Sequence, residues 1–108
     1  MASNYKVLGQ INPSATTNTT LYTVPSLTST VCSTLSICNL GISTTYRVAV
    51  RPAGEGIANK HYIAHDASIP QNDTVFLTLG ITLANTDVIT VYGGTANLSF
   101  SLFGTELT

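Results

Sequence analysis

Charge is the first thing this sequence has little of. Of 108 residues, 8% are charged, where ordinary globular domains carry about 25%. The formal net charge is −1, which gives little electrostatic protection against self-association. Four basic residues, Lys6, Arg47, Arg51 and Lys60, are too few for a phosphate-neutralising stripe, so nucleic-acid binding is not expected. Tryptophan is absent and there are only five tyrosines, which leaves a carbohydrate-binding sandwich short of exposed aromatics. No apolar run reaches the ~18 residues of a membrane span. No apolar segment follows Lys6, so no signal peptide is expected either, and synthesis in a cytosol is.

Hydroxyls stand where charges would. The chain holds 18 Thr and 10 Ser. A folded protein of 11.3 kDa should expose about 5,700 Å², which leaves a modest core. A surface this weakly charged suits a chain whose neighbours cover much of it. The plainer alternative is an extracellular β-domain with a Ser/Thr surface.

The periodicity is that of strands throughout. A short extended run over 4–9 precedes a polar connector, "NPSATTNTT", and residues 20–24 form a second strand stopped by Pro25. Residues 30–39 alternate, placing Val31, Ser33, Leu35, Ile37 and Asn39 on one face and Cys32, Thr34, Ser36 and Cys38 on the other. In "TTYRVAVRP", Tyr46, Val48 and Val50 oppose Arg47, Ala49 and Arg51. Pro70–Asp73 is a turn. Beyond it, Val75, Leu77 and Leu79 oppose Phe76 and Thr78, and Gly93-Gly94 leads a hairpin into a strand with Leu98, Phe100 and Leu102 inward. The sum is about eight strands with frequent turn signals and no amphipathic helix. That predicts a single all-β domain over 1–108, an antiparallel β-sandwich of jelly-roll or Ig-like order. Residues 1–19 are expected to be a flexible N-terminal arm, because their pattern is the weakest.

Candidate chemical groups are few. Cys32 and Cys38 on one face of one strand would lie roughly 20 Å apart, while a disulfide needs Cα atoms within about 7 Å. They read as reduced, semi-buried thiols rather than a bridge or zinc pair. His61 and His65 share a strand face about 13 Å apart, too far to hold one metal, with Asp66 on the opposite face. They read as edge or surface histidines. Asp73 and Asp87 sit at turns, Glu106 is near the end, and Glu55 lies in the loop "PAGEGIAN", which has no Gly-Lys-Ser/Thr of a phosphate loop. No G-x-S-x-G elbow is present. Asn18, Asn72 and Asn97 match the glycosylation pattern, without weight in a chain lacking a signal peptide. Arg47 and Arg51 share a face and could anchor a partner's carboxylate; the plain alternative is two solvated arginines. The expectation is no catalytic, cofactor-binding or metal site, hence no enzyme and no small-molecule substrate.

Several stretches taken together resemble a known group: "NYKVLGQ", "TTLYTVP", "STLSICN", the long segment "TTYRVAVRPAGEGIANKHYIAHDASIPQNDTVFLTLGITLANTDVITVYGG" and "NLSFSLFGTEL". They resemble small virion structural proteins of tailed bacteriophages, cyanophages among them, over roughly residues 4–107. The resemblance implies a compact β-domain that oligomerises on a particle surface, with no catalytic residues to carry over. The expected role is a capsid decoration (cement) protein: a homo-oligomer, expected as a trimer, that clamps the major capsid protein at the capsid surface of the virion. The alternative is a tail, baseplate or fibre component involved in host attachment.

Overall fold

The computed structural model describes residues 2–108. Eight strands follow in order: β1 (Ser3–Ile11), β2 (Thr19–Thr23), β3 (Ser29–Asn39), β4 (Thr44–Arg51), β5 (Tyr62–Ile69), β6 (Thr74–Leu83), β7 (Val88–Gly93) and β8 (Leu98–Leu107). First pairs with last throughout: β1 with β8, β2 with β7, β3 with β6 and β4 with β5, all antiparallel. The chain is thus folded in half at the β4–β5 connection and then rolled, so that β3 also pairs β8 and β4 also pairs β7. Two four-stranded sheets result, β1-β8-β3-β6 and β2-β7-β4-β5. This is the all-β sandwich expected, and its strand order is that of a jelly roll.

The core lies between the sheets. Leu35, Ile37, Leu98, Phe100 and Leu102 of the first sheet face Val48, Val91, Ile89 and Ile69 of the second, all at most 1% exposed. The strands form because these residues alternate with Ser and Thr, which suits a half-buried pleat. The exposed surface of 5471 Å² is close to the value that chain mass predicts.

The alternation slips in β3. Thr30 and Cys32 are buried, Ser33 is exposed, and then Leu35, Ile37 and Asn39 are buried. The cause is a bulge between Cys32 and Thr34, opposite Gly104–Phe103 of β8. One extra residue exchanges the two faces of a strand. Cys32 and Cys38 therefore lie on opposite faces, not on the shared face that strict alternation predicts. A matching shift between Val7 and Gly9 of β1 continues the irregularity across the sheet.

Two further expectations need correction. Residues 3–11 are strand β1, paired with β8 along their whole length, rather than part of a flexible arm. Pairing β8 satisfies a row of backbone groups that a free arm would leave to water. Gly93-Gly94 does not lead a hairpin, because β7 and β8 belong to different sheets. Turn residues mark where the chain reverses, and they are the same for a hairpin and for a corner between sheets.

Candidate interaction surface

The outward face of the β1-β8-β3-β6 sheet is built from the residues that alternate with the core. It carries Tyr5 and Val7 on β1, Phe103 on β8, Val31 on β3 and Phe76 on β6, set among Ser29, Ser36, Thr78, Thr82, Ser99, Ser101 and Thr105. Tyr5 is 85% exposed and Phe76 69%. Val7 pairs across to Phe103, and with Tyr5 and Ser33 they border a shallow groove of about 570 Å³. The sheet has two charged members: Glu106 turns inward, while Lys6, on the β1 edge, reaches back to Glu106 yet stays half exposed and borders the same groove.

That pair forms a polar cluster at one end of the sandwich. Glu106 is 8% exposed. Its carboxylate accepts from the Tyr22 hydroxyl at 2.6 Å and from Lys6 Nζ at 3.0 Å. Tyr22 spends its single proton on Glu106, so Thr30 donates to the Tyr22 oxygen, at 2.8 Å. The Tyr22 bond, then the Lys6 bond, hold the Glu106 carboxyl below its usual range. Burial first, and then the Glu106 hydrogen bond, push the Tyr22 phenol up. Glu106 is satisfied within the fold, and the cluster meets solvent only at Lys6. It was not legible in the sequence, since its members lie about 80 and 100 positions apart.

The opposite sheet carries the charge. Arg47 donates through Nε to Asp66 at 2.6 Å and lies over the Tyr92 ring, 4.2 Å from its centroid. Its guanidinium is thus engaged within the fold; Arg51, the other member of the pair suggested as a partner's anchor, has its Nε buried without a hydrogen-bond partner. The Arg47 bond holds the Asp66 carboxyl low. His61 is not on a strand face with His65. It sits in a short 3-10 turn, Asn59–His61, and is 4% exposed. Its Nδ1 accepts from the Ala58 backbone N–H at 2.9 Å, which leaves Nε2 to donate to Glu55, at 3.1 Å. This latch closes the Pro52–His61 loop over β4. His65 is exposed on β5, edge-on to Tyr62. Asp87 accepts from Ala84 and Ala53 backbone N–H groups, both at 2.9 Å, and so pins two loops. Asp73 closes its turn through its own N–H to Pro70 O at 3.3 Å.

Among the described residues no group of three or more His, Cys, Asp or Glu could hold a metal ion. Cys32 and Cys38 are free thiols, and burial pushes Cys32 up to about 11. Comparison of the chain with protein-family models, with curated proteins and with solved structures finds no match in any of the three.

Proposed function

We propose that the protein is a virion structural protein of a tailed bacteriophage, a decoration (cement) protein that seats on the capsid through its nearly uncharged sheet. The observation that carries this reading is the segregation just described: apart from Lys6 at the β1 edge, half exposed but bonded to Glu106, every charged strand residue is on the second sheet or buried, and the outer face of the first is aromatic, aliphatic and hydroxyl. The molecule measures 44 × 27 × 19 Å, so its broad face exceeds the ~800 Å² that one partner contributes to a specific interface. Aromatic side chains free of charge suit an interface centre, where aromatics are enriched and Lys, Glu and Asp depleted, and the surrounding hydroxyls suit its polar rim. The eight-stranded roll is an architecture shared by capsid proteins, although fold alone does not fix function. The resemblance of the segments quoted above points the same way. The mechanism is stabilisation by buried interface, as a homo-oligomer, with the major capsid protein as partner.

The test compares particles with and without the protein. Cement raises the temperature of genome release, approaches one copy per capsid subunit, and loses its seat in the exposed variant Tyr5→Asp. An unchanged release temperature together with lost host attachment rejects this reading in favour of a tail, baseplate or fibre component.

A further inference from the structure

Each sheet has two edges, and three of the four are guarded. β2 is five residues long, with Pro25 two positions beyond it. β1 carries Lys6 and the shift near Leu8, and it runs tightly against β2: a Cβ added at Gly9 would strike the Leu21 carbonyl. That side of the roll is closed. β5 carries His65 and Asp66, with Asp66 at φ 51 and two register shifts against β4. Charge, brevity and bulges are the usual devices that keep an edge from pairing.

β6 has none of the first two and one of the third. Its ten residues, "TVFLTLGITL", include no charge and no proline. Its irregularity falls at Leu79–Gly80, with Gly80 at φ +61, which leaves Thr74–Thr78 in regular pairing with β3. Val75, Leu77, Leu79 and Ile81 are packed against the core yet only half-buried, and Phe76 beside them is largely exposed. They are uncovered because β5, the edge strand of the other sheet, presents only the small Ala64 and Ala67 along its length and a single large apolar side chain, Ile69, at its end. The open side of the roll thus offers an unpaired backbone ladder and an apolar row together.

We propose that β6 is a self-association strand, pairing antiparallel with β6 of a second copy about a two-fold axis to make one continuous eight-stranded sheet. Antiparallel pairing sets residues of the same face opposite one another. Centred on Leu77, it puts Leu77 against its own copy, Val75 against Leu79 and Phe76 beside Thr78. The apolar row of each copy then covers that of the other. The strand has no charge to repel its own copy. Centred on Leu77, Thr74–Gly80 overlap; at about 3.3 Å per residue they give about 23 Å of edge, and with the 19 Å thickness of the molecule the side buries about 440 Å² per copy, the size of a weak pair that dissociates on dilution. A trimer would require β6 to pair with a different edge, and the other three are guarded. An isologous contact needs only β6 itself.

The pairing does not rest on the shell reading and is tested apart from it, on the purified full chain. Light scattering over a dilution series should give twice the 11.3 kDa chain mass, dissociating on dilution. Thr78→Lys adds charge at an exposed edge position without touching the core, and should weaken the dimer at least about tenfold with an unchanged circular-dichroism spectrum. Those β6 amides that do not bond β3 should exchange slowly in the dimer and fast in Thr78→Lys. Tyr5→Asp, on the far edge, should leave the dimer intact. A wild-type monomer at every concentration, a trimer, or a Thr78→Lys protein that dimerises like wild type each overturns the proposal.

Discussion

At the scale of single residues, the bulge gives the two cysteines different chemistry. Cys32 is buried in the core with its thiol pushed up to about 11, and Cys38 is half-buried on the outward face. The thiolate is the reactive form, and access limits it further. A thiol reagent at pH 8 should therefore label one cysteine in the native protein, Cys38 by peptide mapping, and both in denaturant. Native labelling of Cys32 at the same rate would remove the bulge from β3. The Glu106 cluster makes a second expectation. Its ionised form is stabilised in the folded protein by Tyr22 and Lys6, so the unfolded chain takes up the proton first as pH falls. The stabilisation is complete above the unfolded value of about 4.3 and is lost as pH drops through the lower folded value. Denaturant unfolding between about pH 6 and 2 should show a shallower pH dependence for Glu106→Gln than for wild type. Tyr22→Phe removes the donor and should cost about 1–3 kcal/mol at neutral pH, since it leaves a largely buried carboxylate short of a partner.

At the scale of elements, the closure of the roll on the β1–β2 side depends on a missing side chain. The Gly9 backbone approaches the Leu21 carbonyl so closely that no Cβ fits. Gly9→Ala must push β1 off β2, an overpacking that costs about 1–3 kcal/mol. Gly56→Ala is the control: a Cβ there meets nothing within 4 Å, so its effect should be within about 0.5 kcal/mol or slightly stabilising. Equal melting temperatures for the two variants would mean that β1 is loosely held, as an arm would be. β1 reads as an arm in the sequence because its outward residues, Tyr5 and Val7, are as apolar as its inward ones. Lys6 adds to the misreading, since its ion pair with Glu106 comes from β8, about 100 positions away.

At the scale of the molecule, the fold-in-half topology brings the two chain ends together. The Ala2 N–H donates to Thr108 O and the Thr108 N–H to Ala2 O, each at 3.0 Å. Among the described residues the only hairpin is β4–β5, whose Pro52–His61 loop is held by the His61–Glu55 latch. A circular permutant that joins residue 108 to residue 2 through a short linker and opens the chain between Gly56 and Ile57 preserves every strand pair. It should fold to the same circular-dichroism spectrum, with a modest loss of stability. Its folding rate should stay within about tenfold of wild type, because pairing first with last is unchanged in kind when the new ends replace the old. Failure to fold would show that the β4–β5 hairpin must form first.

The sequence by itself determined the class of the protein. Period-two alternation of Val, Leu and Ile with Ser and Thr, punctuated by Pro, Gly, Asn and Asp, is a local signal. It fixed eight strands and most of their inward residues, Leu98, Phe100 and Leu102 among them. Its scarcity of charge was equally legible. Tertiary structure decided whatever depends on a second strand. The jelly-roll order is set by pairings between distant segments, which leave no mark on either one alone. The bulge at Ser33 needs the backbone of β8 opposite it, and so the separation of Cys32 from Cys38 could not be read from their spacing. The burial of His61 and the engagement of Arg47 by Asp66 and Tyr92 arise from a loop and a neighbouring strand. The nearly uncharged outer sheet and the unguarded β6 edge exist only once the strands have been sorted into two layers, because a face is a property of neighbours and a single strand has none.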